Sequence, residues 1–392
     1  MTNRSNYTRQ INIKGRSIFT YPEDVLSKYN RLARKVKRNW DTSSNSRAQI
    51  VTDIEEVLSN GFEMRRGEVS FRQLSEISLT IIRGDIHHFF DGIDKKIMSH
   101  LLFSGNEFSR EEELLIKEML LDNSIRGLPQ GNPISSVFAE IYLNNFDHFI
   151  RLEFEPLLYE RFVDDFIIIV PNFYDWRNNK EKVKEVISSR LAAVGLEISR
   201  EKFSVTDTTE DHLFDFLGYS FSANKLDGKD KYLEVSMSDQ KLKKYWRKIY
   251  RYFRAYQGSK MMDVDFTKLR LKIENVFSGI ITVDKRGKKE RIGLPYGYSN
   301  ANGVTKLKSL YDEVVFLSKK VGLSSQQFKI IMKIIMDYRD VNIGAKLSGR
   351  RVNYIKMSRH KLDETLRDLG GLPRVNESTI AVIQQIFTQI YR

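Results

Sequence analysis

The sequence predicts an α+β chain of two or three packed units, with an acidic, strand-bearing centre and a basic, helical C-terminal region. Three observations carry that expectation. A length of 392 residues exceeds what one compact core serves. Unbroken apolar runs of strand length lie near residues 79–86 and 159–170, whereas helical periodicity prevails around them. The charge divides in the same places: net +8 over residues 1–50, −14 over residues 51–240 and +19 over residues 241–392.

Composition narrows the classes further. Apolar residues make up 41% of the chain, with 24 Phe and 18 Tyr, which is ample for globular cores. No apolar run approaches the roughly 18 residues that cross a bilayer, so no membrane partner is expected. The opening Met1-Thr2-Asn3-Arg4-Ser5 has no apolar stretch of signal-peptide type, and a cytoplasmic location is the expectation. The absence of cysteine excludes disulfides and thiolate metal sites. The six histidines, His87 and His88 among them, show no zinc spacing, so any metal should be held by oxygen, which favours Mg²⁺ or Mn²⁺. An acidic centre between basic flanks suits metal in the middle and a grip on a polyanion from both sides.

In chain order, the run Arg31-Leu32-Ala33-Arg34-Lys35-Val36-Lys37-Arg38 places Leu32, Val36 and Trp40 at four-residue spacing, an amphipathic helix with a cationic face. Residues 41–46 are a loop by composition, and a second helix spans about 50–58. A strand over residues 79–86 delivers Asp85 at its end; an aromatic turn with Phe89 and Phe90 follows, then a helix from about Asp94. Gly127, Pro129 and Gly131 make a loop able to approach a substrate closely. Pro133 and Ser135 then open a helix with Ile134, Phe138, Ile141 and Phe146 buried.

Between two apolar strands stand Asp164 and Asp165. Two acids at a buried strand tip are costly unless something cationic neutralises them. Set beside Asp85 across a sheet, they complete a three-carboxylate cage for two divalent ions about 3.5–4 Å apart. Residues 172–179 read as a loop and 180–193 as a helix with Val183, Val186, Ile187 and Leu191 on one face. The centre is thus a βαβ-type sheet covered by helices on one side. A hairpin is expected around Asp227-Gly228-Lys229. The stretch 241–256 is a basic helix carrying six aromatics that cannot all face one core. A linker, a basic hairpin tip over 284–291 and helices near 304–320, 325–338, 358–369 and 377–390 complete the chain.

These segments together resemble the motifs of reverse transcriptases. Asp85-Ile86 with Phe89-Phe90 is similar to motif A, and Leu128-Pro129-Gln130-Gly131 with its helix to motif B. Phe162-Val163-Asp164-Asp165 matches motif C, the stretch from Gly195 to Phe203 resembles motif D with Lys202 at the lysine position, and Phe216-Leu217-Gly218-Tyr219 resembles motif E. The likeness covers roughly residues 80–222.

The resemblance implies a right-hand polymerase: fingers over 1–80, a palm with an antiparallel sheet over 81–237, and a basic helical thumb with a C-terminal extension over 238–392. It implies an RNA-directed DNA polymerase with Asp85, Asp164 and Asp165 as catalytic metal ligands and the Ile86 carbonyl as an auxiliary one. Two Mg²⁺ or Mn²⁺ ions are the implied cofactors. Phe90 falls where the family places a gate against the ribose 2′-hydroxyl, and Gln130 and Gly131 line the nucleotide. Lys202 reads as a general acid or a phosphate clamp, and equally as a surface lysine on a strand. Lys241, Lys244, Arg247, Lys248, Arg251 and Arg254 are the nucleic-acid-binding cations. Asp91 reads as a helix N-terminal charge, one of His87 and His88 as inward-facing, and Arg161 as a partner of the carboxylates, a phosphate, Glu160 or Glu140.

Implied partners are an RNA template or non-coding RNA, a DNA product and dNTPs, with a second reverse transcriptase subunit or a homo-oligomer as a further option. Within the family the chain looks most like prokaryotic defence-associated enzymes of the abortive-infection or unknown-group class, type 3 among them, acting against phage. Alternatives are a retron-type enzyme, untemplated or protein-primed synthesis, and an RNA-binding scaffold without synthesis.

Overall fold

The computed structural model describes residues 7–13, 16–40, 45–59, 63–66, 69–105, 107–172, 179–226, 230–285, 287–303, 305–339 and 350–392. Most of the expected loops over 41–46 and 172–179, the turn at Asp227-Gly228-Lys229, and Arg286 lie outside the described residues. Two compact units are formed, Met1–Leu58 with Ser75–Glu210 and Ser59–Leu74 with Asp211–Arg392.

The first unit opens with a hairpin of β1 (Arg9–Ile13) and β2 (Arg16–Thr20), then α1 (Glu23–Asn39) and α2 (Arg47–Leu58). Helix α1 buries Tyr29, Leu32, Ala33 and Val36, places Glu23 and Asp24 at its positive end and Lys37 and Arg38 at its negative end. The hairpin β3 (Glu63–Arg66) and β4 (Val69–Arg72) belongs to the other unit. There follow β5 (Leu79–His87), α3 (Phe89–Gly92), α4 (Lys95–Phe103), α5 (Arg110–Leu121) and α6 (Pro133–Phe154). The hairpin β6 (Leu158–Phe162) and β7 (Asp165–Pro171), helix α7 (Lys180–Ala192), β8 (Glu197–Ile198) and β9 (Ser204–Asp207) complete it.

These strands form a sheet of order β6-β7-β5-β8, with β9 also paired to β5. Every pairing is antiparallel, so the βαβ reading gives way to the antiparallel sheet that the motifs implied. Residues of one parity, Ile82 and Ile86 on β5 with Phe166, Ile168 and Val170 on β7, join the core made with α1, α4, α5, α6 and α7. Burying each such side chain is worth about 1.5–3 kcal/mol. Asp85 and Asp165 have the other parity and pair directly with each other, so alternation alone turns both acids away from that core.

The second unit contains a meander of β10 (His212–Phe216), β11 (Tyr219–Leu226) and β12 (Asp230–Met237). Leu217 and Gly218, both at positive φ, make its first turn, as a tight primed hairpin demands. Then come α8 (Asp239–Gln257), α9 (Asp263–Phe277), β13 (Gly279–Val283), β14 (Lys289–Ile292), α10 (Leu294–Gly297), α11 (Thr305–Lys320) and α12 (Ser325–Ile335). A 3-10 turn, Met336–Tyr338, extends α12. Last are β15 (Arg351–Asn353), α13 (Arg359–Asp368) and α14 (Thr379–Tyr391).

The expected linker after the basic helix is instead α9, which buries Phe266, Leu269, Ile273 and Val276, followed by β13 at the centre of a β14-β13-β15 sheet. No described helix is long and apolar enough to cross a membrane.

Candidate functional site

Strand β5 carries Asp85 two residues before its end, and the β6–β7 hairpin carries Asp164 in its turn and Asp165 at the first position of β7. One carboxylate oxygen from each of the three lies within 4.8 Å of the others. Asp85 is buried, and Asp164 and Asp165 are half-buried. Burial, then the charge of Asp164 and the hydrogen bond and charge of Asp85, push the Asp165 carboxyl up to about 7. Three acids so placed repel one another in a poorly solvated corner, and an all-oxygen donor set of this kind fits Mg²⁺ or Mn²⁺.

Backbone bonds fix the acids. The Ile86 amide donates to the Asp164 carbonyl at 3.0 Å, and the Ser199 amide to the Asp85 carbonyl at 2.7 Å. Gly84 packs directly on Phe166: a Cβ there would lie 2.2 Å from the ring. Only glycine lets the aromatic core reach that far beneath the acids.

Lys202, in the turn between β8 and β9, places Nζ 2.5 Å from Asp85 Oδ2 while its side chain stays 60% exposed. Burial lowers its pKa, but the bond and charge of Asp85, with Asp165 and Asp164 behind, outweigh that and hold the ammonium above its ordinary value. Lys202 is thus a surface lysine, but one in a turn and paired with Asp85 instead of on a strand.

Arg161 pairs with one expected partner and one unexpected one. It is buried; Nε and Nη2 pair with Asp147 at 2.8 and 2.7 Å, Nη2 reaches Glu140 at 2.7 Å, and Nη1 donates to the Val163 carbonyl at 2.9 Å. Glu140 was among the expected partners; Asp147 was not. Their places on α6 set them seven residues apart, two helical turns, and that spacing was the available signal. Tyr159 also donates to Asp147, at 2.6 Å.

Phe90 is half-buried beside the core, and its carbonyl accepts from the Leu128 amide at 2.8 Å. Gly127, at φ +60°, would carry a Cβ only 2.0 Å from that carbonyl, so the loop before α6 requires glycine there twice over. Gln130 accepts from the Phe19 amide at 2.8 Å, and Gly131 lies against the Phe19 carbonyl; sequence reasoning missed this hairpin support. Asp91 sits in the first turn of α3 as expected. His87 and His88 are both exposed, with rings 4.1 Å apart, so the inward-facing expectation fails. The strand ends at His87, and His88 takes a left-handed turn at φ 44° instead of continuing the alternation.

In the second unit, Lys244, Arg247, Arg251 and Arg254 are exposed at helical spacing along α8, with Trp246 and Tyr250 exposed beside them. Lys241 lies over Gly218 and is half-buried. Burial lowers the Lys248 pKa, and Lys244 and Arg251 add to the effect.

Residues 44–221 match the family described as reverse transcriptase (RNA-dependent DNA polymerase). That similarity spans a little under half of the chain. Among solved structures, the chain is similar to apo telomerase from Candida tropicalis, at 12% identity and TM-score 0.44 over 93% of this chain and 55% of that one. A C-terminally truncated form of that telomerase is similar at 18% identity and TM-score 0.37, over 55% of this chain and 45% of that one. Telomerase from Candida albicans, in complex with a fragment of telomeric RNA, is similar at 13% identity and TM-score 0.34, over 93% and 58%. The chain spans about half the length of these structures. No curated protein matches the chain.

Proposed function

We propose that the chain extends a DNA 3′ end by adding deoxynucleotides, with an RNA strand as template, at a centre where Asp85, Asp164 and Asp165 hold two divalent ions. The observation that carries this reading is the cluster itself, three carboxylates within 4.8 Å of one another, two on paired strands and one in the adjoining turn. Bound divalent ions would supply Lewis acidity, activating the primer hydroxyl and neutralising the triphosphate.

The chain's own residues do the rest. Lys202 stands where an ammonium can leave Asp85 and meet the departing pyrophosphate, giving it charge or a proton. Phe90, fixed through its carbonyl to the loop before α6, bounds the sugar pocket and favours deoxynucleotides. Gln130 and Gly131 present loop backbone toward the nucleotide, while the cations of α8 hold phosphates. The fingers, palm and thumb boundaries at residues 80 and 237 belong to this reading.

The narrower assignment, a prokaryotic enzyme acting with a non-coding RNA in defence against phage, is supported by the motif resemblance and the basic helical region that follows it. The test is to purify the protein with any co-purifying nucleic acid, add Mg²⁺ and labelled dNTPs singly and together, and compare Asp164→Ala/Asp165→Ala. Products that need a defined dNTP set and vanish in the variant support templated synthesis. RNA retained without synthesis in Mg²⁺, or in Mn²⁺ put in its place, would leave the RNA-binding scaffold as the better reading.

A further inference from the structure

The three-stranded sheet of the second unit has a face that the polymerase reading leaves unused. Strand β13 lies in the middle, with β14 antiparallel on one side and β15 parallel on the other. Ile280 pairs with both Ile292 and Val352, and this row packs into the core with Leu362, Ile383 and Ile386. Of the opposite parity, Arg291 on β14 and Arg351 on β15 are exposed, Ile281 and Asn353 are half-buried and Gly279 is buried, while Val283 at the end of β13 returns to the core.

Tyr296 comes onto this outward face from α10. A Cβ at Gly279 would lie 3.1 Å from its ring, so the bare strand at that position seats the aromatic. The Arg291 guanidinium carbon is 5.6 Å from the ring centroid and that of Arg351 is 5.9 Å away, each arriving from a different flanking strand. Both arginines are exposed, and the ring is half-buried. Glu290, of the other parity, is exposed as well, and its charge adds slightly to the burial that raises the Tyr391 hydroxyl pKa. Lys288 and Lys289 extend the exposed positive charge along the hairpin.

Two guanidinium groups converging on one ring repel each other, and an exposed cation–π contact returns only about 0.5–1 kcal/mol. An anion beside them removes the repulsion. A flat ring with a fork-shaped cation on each flank matches a base with its adjoining phosphates.

We propose that Arg291, Tyr296 and Arg351 form a binding face for single-stranded nucleic acid, the arginines taking phosphates and Tyr296 stacking on a base. This face is distinct from the acidic cluster and from the cations of α8. Its occupant is an RNA or a DNA strand, which share this chemistry.

The experiment uses the full chain in an Asp164→Ala/Asp165→Ala background, so that no synthesis occurs and failure of the polymerase reading cannot mask the result. Binding of fluorescein-labelled oligouridylate and oligothymidylate is followed by anisotropy across a salt series, with photocrosslinking of thio-substituted strands mapped by mass spectrometry. Arg291→Gln/Arg351→Gln is expected to weaken binding about tenfold and to flatten the salt slope by about 1.4, the value for two phosphates of a single strand. Tyr296→Leu should weaken binding about tenfold with the slope unchanged. The crosslink should fall on the peptide that contains Tyr296, and the stronger-binding of the two oligonucleotides identifies the strand. Unchanged affinity and slope in the paired variant, with an unaltered melting curve, would overturn the proposal. So would an equal loss of binding to a polyglutamate peptide, which would mark a general cationic patch.

Discussion

Arg161 donates a hydrogen bond from Nη1 to the carbonyl of Val163, the residue at the turn that presents Asp164 and Asp165. Val163 has φ +62°, a left-handed conformation that a β-branched residue adopts only at a cost. The rest of the guanidinium is locked onto Asp147 and Glu140, so a buried ionic frame on α6 braces a strained turn. Arg161 is thus a positioning residue for the acids.

Arg161→Met should leave the half-buried Asp147 and Glu140 without their cation, at a cost of at most about 3–5 kcal/mol. Urea unfolding measures that loss. Arg161→Lys keeps the charge but not the fork, and is expected to stay folded, need more Mg²⁺ for half-maximal activity and keep its dNTP KM. An Arg161→Lys enzyme with wild-type Mg²⁺ dependence would show that the brace does not reach the acids.

The Asp165 carboxyl, raised from 3.8 to about 7, gives a pH dependence with a definite sign. The folded state binds this proton more tightly than the unfolded chain, so in metal-free buffer the group costs stability as pH rises from about 4 to about 7. Relative to wild type, Asp165→Asn should become more stable across that window when melting is followed in chelator. Saturating Mg²⁺ should raise the wild-type melting temperature at pH 8 and leave Asp85→Asn nearly unmoved.

On the proposed reading, Lys202, which pairs with Asp85, competes with a divalent ion for that carboxylate. Lys202→Ala should therefore bind Mn²⁺ more tightly than wild type, yet turn over about a hundredfold more slowly if the ammonium assists the leaving group. Titration of Mn²⁺ by electron paramagnetic resonance and single-turnover rates measure the two effects separately. Weaker metal binding in the variant would contradict the competition.

Gly84→Ala drives a methyl into the Phe166 ring and should destabilise by about 1–3 kcal/mol, with activity reduced because the strand that carries Asp85 must shift. Phe166→Leu in the same chain should restore part of both. Melting curves and primer extension of the single and double variants show whether the two residues are coupled.

Much of the site was legible because it is local. Asp85 lies near the end of one apolar strand and Asp165 at the start of another, so period-two alternation predicts their common face once the strands pair, and Asp164 comes with them from the adjoining turn. The helices with clear apolar spacing, α6 and α7 among them, were legible for the same reason. Long-range features were not. The β1–β2 hairpin that supports Gln130 depends on tertiary contacts that leave no periodic trace, and the Asp147 partner of Arg161 left only the seven-residue spacing from Glu140. Helix α9 was hidden because its apolar positions are interleaved with Lys268, Arg270, Lys272 and Glu274, which made the stretch read as a polar connector. His88 misled because a left-handed residue breaks the alternation at the strand end.

The most direct test of the central claim is single-nucleotide incorporation on a defined RNA template with an annealed DNA primer in Mg²⁺, for the wild type and for Asp85→Asn. The account predicts that the wild type adds only the dNTP complementary to the first template base, that the matching ribonucleotide is taken far less well unless Phe90 is replaced by Ala, and that Asp85→Asn adds neither. Equal extension by Asp85→Asn, or no extension by wild type in Mg²⁺ or Mn²⁺ while the primer–template stays bound, would contradict it.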